Sequence, residues 1–223
     1  WLAASSGART PLDREALVAL VQRRAPIYDK SQDGHYNLIS ALHKSVRGSD
    51  PDASLYWLAR MLAGGEDPLY IARRLVRMAI EDIGLADPNA LVQANAAKEV
   101  YDFLGSPEGE LALAQVTIYL ALAPKSNAAY VAFDAASRDA NEGGSLSPPK
   151  HILNAPTKLM KQEGYGSGYA YDHSEDEAFS GQNYFPDGMA RRALYQPVER
   201  GFERDIRKRL DYWAKLRAER GGQ

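Results

Sequence analysis

A cap residue followed directly by proline recurs at Asp50-Pro51, Asp67-Pro68, Asp87-Pro88 and Ser106-Pro107. This is a helix-start signal. The cap side chain accepts hydrogen bonds from backbone N–H groups that have no partner in a first helical turn. Proline at the first helical position forfeits nothing, because its nitrogen would be unpaired there anyway. Matching stops follow at Gly64-Gly65, Gly84 and Gly105, where a residue without Cβ adopts the left-handed conformation that ends helices. Helices of similar length with short connections become antiparallel neighbours, so the expected fold is all-α, a bundle of antiparallel helical hairpins.

The flanking segments extend the pattern. Thr10 and Pro11 start a helix with Asp13 in its first turn and Leu17, Leu20 and Val21 at helical spacing. His35 to Val46 predicts another, with Leu38, Ile39 and Leu42 on one face and Gly48 ending it. Asn127 to Ala140 carries Ala128, Ala129, Ala132, Ala135 and Ala136, which predicts a tightly packed helix. Asn141 to Pro149 is a break. Gly164 to Gly188 is a long Gly- and Tyr-rich loop with acidic Asp172, Glu175, Asp176 and Glu177, expected to lie ordered over the helices and to allow a short hairpin. A long basic helix closes the chain from about Pro197, with Phe202, Ile206, Leu210, Trp213 and Leu216 as a docking stripe.

The composition limits function. Net charge is −2 over 223 residues, so the surface as a whole does not attract nucleic acid strongly. With no cysteine there are no disulfides or thiolate metal sites, which fits a reducing compartment. No apolar run is long enough to span a bilayer, and no signal peptide is evident. The first residue is Trp1 rather than Met, which suggests a piece of a longer protein.

Catalytic motifs are missing. There is no G-x-x-x-x-G-K-[ST] loop to cradle nucleotide phosphates, and Gly164-Tyr165-Gly166-Ser167-Gly168 lacks the strand and helix that a phosphate loop needs. His35, His43, His151 and His173 have no metal-site spacing and read as structural. Ser40, Ser45 and Ser126 lack a nucleophile-elbow context. No catalytic, cofactor or metal residue is assigned. Two basic ridges, Lys44 with Arg47 and Arg73, Arg74 with Arg77, are candidates for DNA or subunit contact, as are Lys125, Arg204, Arg207 and Lys208. Arg77 and Glu81 stand four apart and should pair.

From Tyr28 to about Gly201 the chain resembles the C-terminal part of the MgsA/RarA family of AAA+ ATPases, the replication-associated recombination protein A group that includes the Werner-helicase-interacting ATPases. The resemblance is carried by YDK at Tyr28, HYNLISALHKSVRGSDPDASLYWLARML from His35, and GEDPLYIARRLVRMAIEDIGLADPNAL from Gly65. It continues in SPEGELALAQVTIYLALAPKSNAAY from Ser106 and NAPTKLMKQEGYGSGYAYDH from Asn154. It implies that residues 1–46 are the tail of the lid-associated helical region and 47–223 the C-terminal oligomerisation domain, akin to clamp-loader collars. It implies homotetramers, with ATP and Mg held by an upstream core. It further implies action on DNA at stalled forks or single-strand/double-strand junctions, single-stranded DNA-binding protein as a partner, no membrane, and a cytoplasmic, nucleoid-associated location. The expected role is an assembly module; the rival is direct DNA binding through the Arg/Lys ridges and the basic C-terminal helix.

Overall fold

A computed structural model gives the protein's structure; it describes residues 32–220, with side chains from residue 36 onward. The helix expected from Thr10 and the side chain of His35 lie outside the described residues. Among those described, the regular elements are helical and there is no strand. They are α1 (Gln32–Arg47), α2 (Pro51–Ala63), α3 (Pro68–Met78), α4 (Asn89–Leu104), α5 (Glu110–Leu122), α6 (Ala128–Glu142), the short α7 (Lys158–Gln162) and α8 (Glu203–Glu219). A π-helical turn, Ala79–Ile83, and a 3-10 turn, Gly84–Ala86, follow α3.

Three of the four cap–proline pairs act as the sequence predicts. Asp50 Oδ1 accepts the Ala53 N–H at 2.9 Å. Asp67 Oδ1 accepts from Leu69 at 2.9 Å, and Asp87 Oδ1 from Asn89 at 3.1 Å. Ser106-Pro107 does not start a helix. Its peptide bond is cis, the Ser106 hydroxyl pairs with Tyr101 Oη at 3.1 Å, and α5 begins only at Glu110. Between them Gly109 packs so closely that a Cβ would stand 2.8 Å from the Gly105 carbonyl oxygen. At the stops, Gly65, Gly84 and Gly105 have positive φ, whereas after α1 the left-handed residue is Ser49 (φ 60°), one beyond Gly48.

The chain divides into two compact units: one runs up to Leu75 and adds Ala97–Ala121, the other comprises Val76–Ala96 and the chain from Leu122 on. In the first, α1 and α2 pack as a hairpin. Its core holds Ile39, Leu42 and Val46 of α1, Leu58 and Met61 of α2, Ile71 and Leu75 of α3, and Leu113, Val116 and Leu120 of α5. Each large aliphatic side chain so buried contributes roughly 1.5–3 kcal/mol.

In the second unit α6 packs on the π-helical and 3-10 turns. The Ser126 N–H donates to the Asp82 carbonyl at 2.7 Å, fixing the entry to α6. Met78, Ala79, Ile83, Ala86, Ala90 and Ala94 are buried here. Contrary to expectation α6 is not tightly packed. Only Ala128 is buried; Ala129, Ala132, Ala135 and Ala136 are half-buried, and Tyr130, Val131 and Phe133 face solvent. A run of alanines permits close packing but does not supply the element that packs.

The Gly/Tyr segment forms 3-10 turns, Asp172–Ser174 and Asp176–Ala178, rather than the expected hairpin. Gln182 spans it, with its side-chain amide donating to the Gly168 carbonyl at 2.7 Å and its oxygen accepting from the Ala170 N–H at 3.1 Å. The last helix begins at Glu203, later than the expected Pro197. Gly201 (φ 51°) lies against the Ala86 carbonyl with no room for a Cβ, and Phe202 N donates to the same oxygen at 2.7 Å. That junction holds Pro197–Phe202 out of the helix.

Candidate functional site

In the first unit Lys44 and Arg47 are exposed on the last turn of α1, and Arg47 Nη2 donates to His43 Nε2 at 3.1 Å. His43 is buried and structural, as expected. Arg73 is exposed on α3, while Arg74 is half-buried, with its Nε enclosed and making no hydrogen bond. The two neighbours therefore do not form one open ridge.

In the second unit every expected cation has a partner of its own. Arg77 Nε meets Glu81 Oε2 at 2.8 Å, the pairing the sequence predicts. Lys125 Nζ donates to the Ala123 carbonyl at 2.6 Å. Burial lowers the Lys125 pKa, opposed by the nearby Asp82 carboxylate. Arg204 Nε reaches the Glu199 carbonyl at 3.3 Å, Arg207 donates to the Pro197 carbonyl, and Lys208 pairs with Asp205 at 2.9 Å.

The C-terminal helix is also engaged through its aromatic stripe. Trp213, expected to dock against the same fold or a partner, lies against Phe179 of the Gly/Tyr segment with ring centroids 4.9 Å apart. The Arg217 guanidinium lies 5.0 Å from the same Phe179 ring, and Tyr212 Oη donates to Glu177 at 2.9 Å. Burial lowers the Arg217 pKa, an effect increased by Arg191. The Gly/Tyr segment is thus tied to the basic helix by aromatic, cation–π and hydrogen-bond contacts.

Two features have no counterpart in the sequence reading. The first is a buried polar centre. Glu203, fully enclosed at the start of α8, accepts from Tyr195 Oη at 2.8 Å, Ser126 Oγ at 2.7 Å and the Val198 N–H at 2.9 Å. Three donors satisfy a carboxylate that would otherwise be costly to bury. Burial pushes the Tyr195 hydroxyl well above its ordinary range, and its bond to Glu203 acts the same way. The centre ties the start of α8 to Ser126, Tyr195 and Val198.

The second is exposed apolar surface. In the first unit Phe103 is 88% exposed and Leu111 75%, beside exposed Val100 and Leu104. In the second, Phe133 is 75% exposed on α6. An apolar cavity of about 300 Å³ opens at the C-terminal end of that helix, between Ala136, Ala140 and Gly143 on one side and Phe185, Met189 and Leu194 on the other. Asp139 at its edge is held by Arg192, with Nη2 donating to Oδ1 at 3.1 Å. Among the described residues no group of three or more His, Asp and Glu is placed to hold a metal ion, and no helix is long and apolar enough to cross a membrane.

Comparison with known proteins gives the context for these surfaces. The family model for the MgsA AAA+ ATPase C terminal matches residues 48–214, and that for the AAA C-terminal domain matches residues 2–47. The chain is 55% identical over 190 residues to replication-associated recombination protein A of Coxiella burnetii, covering 85% of this chain and 43% of the relative. It is 50% identical over 210 residues to the protein of that name from Escherichia coli K12, covering 94% and 47%. To the ATPase WRNIP1 of Dictyostelium discoideum it is 46% identical over 188 residues, covering 83% and 21%. The chain thus spans less than half the length of each of these relatives. It belongs to the MgsA/RarA family of AAA+ ATPases, of which it represents the C-terminal region.

Proposed function

We propose that this chain is the self-association module of a DNA-dependent AAA+ ATPase that maintains replication forks and acts in recombination. The observation that carries the reading is the exposure of Phe103, Leu111 and Phe133. Within each unit, large apolar side chains left in water mark protein interaction sites when they are grouped. Residues 1–46 are then the tail of the lid-associated region and 47–223 the assembly domain, a division supported by the family models that meet at residues 47 and 48. The module works as a collar, related to those of clamp loaders. It holds ATPase cores in a homotetramer, so that several motors share one DNA site at high effective concentration. ATP and Mg belong to the upstream core. Fork DNA and single-stranded DNA-binding protein are partners of the whole protein, which works in the cytoplasm at the nucleoid. Sedimentation velocity at micromolar concentration tests the reading: a multimer is expected, and a monomer at all concentrations overturns it.

A second reading, direct contact with DNA, draws on one observation. The side chains of Lys44 and Arg73 are exposed and make no hydrogen bond or ion pair among the described residues. Two such side chains contribute a phosphate contact each, with steep salt dependence.

A further inference from the structure

We propose that the face of α8 bearing Arg209, Trp213, Arg217 and Arg220 binds single-stranded nucleic acid, and that residues 176–181 of the Gly/Tyr segment occupy this face in the free chain as a releasable clip. The site is separate from the DNA contact read at Lys44 and Arg73 and lies in the other unit.

Steps of four, four and three along α8 and its C-cap put Arg209, Trp213, Arg217 and Arg220 on one side of the helix, with Asp211 opposite. The Arg209 side chain is exposed, lies over the Phe202 ring at 5.3 Å and makes no hydrogen bond or ion pair among the described residues. Arg191, resting on the Phe185 ring at 5.8 Å, acts on Arg217 as a like charge, so positive charge is crowded here. An aromatic ring among guanidinium groups suits a single strand, because every base offers a π face to stack and every phosphate an oxygen to accept.

The clip supplies both parts from within the chain. Its Phe179 ring takes the place of a base, 4.9 Å from Trp213, 5.0 Å from the Arg217 guanidinium and 5.9 Å from that of Arg220. Its oxygens take the place of phosphate. The Asp176 carbonyl accepts from Arg220 Nη2 at 2.7 Å, and the Glu177 carboxylate from Tyr212 Oη at 2.9 Å. The clip is also strained. Glu177 (φ 60°) and Ala178 (φ 49°) are consecutive non-glycine residues in the left-handed region, which L side chains disfavour. Exposed hydrogen bonds and one ring hold that conformation, the kind of element that opens locally. Lifting it frees Trp213, Arg217 and Arg220 together and carries the Glu177 carboxylate away from them.

Fluorescence anisotropy with a labelled oligothymidine of about 16 nucleotides tests this on the whole chain. Phe179→Ala removes the internal competitor and should tighten binding by roughly fivefold, with helical circular dichroism unchanged. Tyr212→Phe loses only the exposed bond to Glu177 and should shift binding the same way. Adding Trp213→Ala to Phe179→Ala should abolish the gain and weaken binding by roughly tenfold. Unchanged or weaker binding in both Phe179→Ala and Tyr212→Phe overturns the proposal. A duplex of equal length that gains as much from Phe179→Ala as the single strand does overturns it too. Binding that is lost in Lys44→Ala with Arg73→Ala but untouched by Trp213→Ala rejects this site and leaves the other DNA contact standing. No binding by the parent chain or any variant overturns both.

Discussion

The Ser126 hydroxyl donates to Glu203 Oε2 at 2.7 Å across 77 positions of sequence. With Tyr195 and Val198 it closes a buried carboxylate centre at the start of α8. Truncating Glu203→Ala leaves three donors without an acceptor and should destabilise the chain by about 3 kcal/mol, since orphaned buried polar groups carry their full desolvation cost. Glu203→Gln keeps the shape and one oxygen, so its cost should be nearer 1 kcal/mol. Denaturant midpoints at constant slope read both; equal effects of the two substitutions would contradict the hydrogen-bonding account.

Asp50 caps α2 through Ala53, whereas Ser106 caps nothing and meets Tyr101 instead. Asp50→Ala should therefore cost about 1 kcal/mol, the usual loss for a helix cap. Ser106→Ala should cost less than about 0.5 kcal/mol, because an exposed hydroxyl pair exchanges readily with water. Thermal unfolding of the two variants separates them.

The basic residues differ in availability. Arg77 is committed to Glu81, while Lys44 and Arg73 are open. If the chain contacts DNA, Lys44→Ala with Arg73→Ala should flatten the plot of log K against log salt by about 2. Arg77→Ala should change the slope little. The Arg77–Glu81 pair is an exposed one, and a double-mutant cycle should give it no more than about 0.5 kcal/mol.

Asp172 anchors the Gly/Tyr segment, accepting the Ser180 N–H at 2.8 Å and the Tyr184 hydroxyl at 2.9 Å. The backbone bond from Ser180, with its side chain, holds the Asp172 pKa below the ordinary 3.8. The folded value is the lower one, so the contribution is complete above the unfolded pKa and disappears as pH falls through the folded value. The Ser180 amide resonance should titrate with a midpoint below 3.8 and become insensitive in Asp172→Asn. A midpoint above that value contradicts the assignment.

Much of the fold was legible because its signals are local. An aspartate before proline needs only its own helix to act, which is why Asp50, Asp67 and Asp87 behave as read. Ser106 misleads because Tyr101, five residues earlier, takes its hydroxyl. The α8 start slips from Pro197 to Glu203 because Gly201 is pressed against Ala86, a contact with no sequence signature. The alanines of α6 indicate close packing without naming a partner, and among the described residues that helix lies open at Phe133. Candidate site residues were legible as charge alone. Whether a lysine or arginine is free depends on carbonyls and carboxylates brought to it by folding, as with Lys125 and Arg207.

Native mass spectrometry of the 223-residue chain from near-physiological salt tests the central claim most directly. Self-association predicts a dominant species at a multiple of the 24.5 kDa chain mass, shifted towards monomer by Phe133→Asp. A single peak at the chain mass across micromolar concentrations would contradict the account.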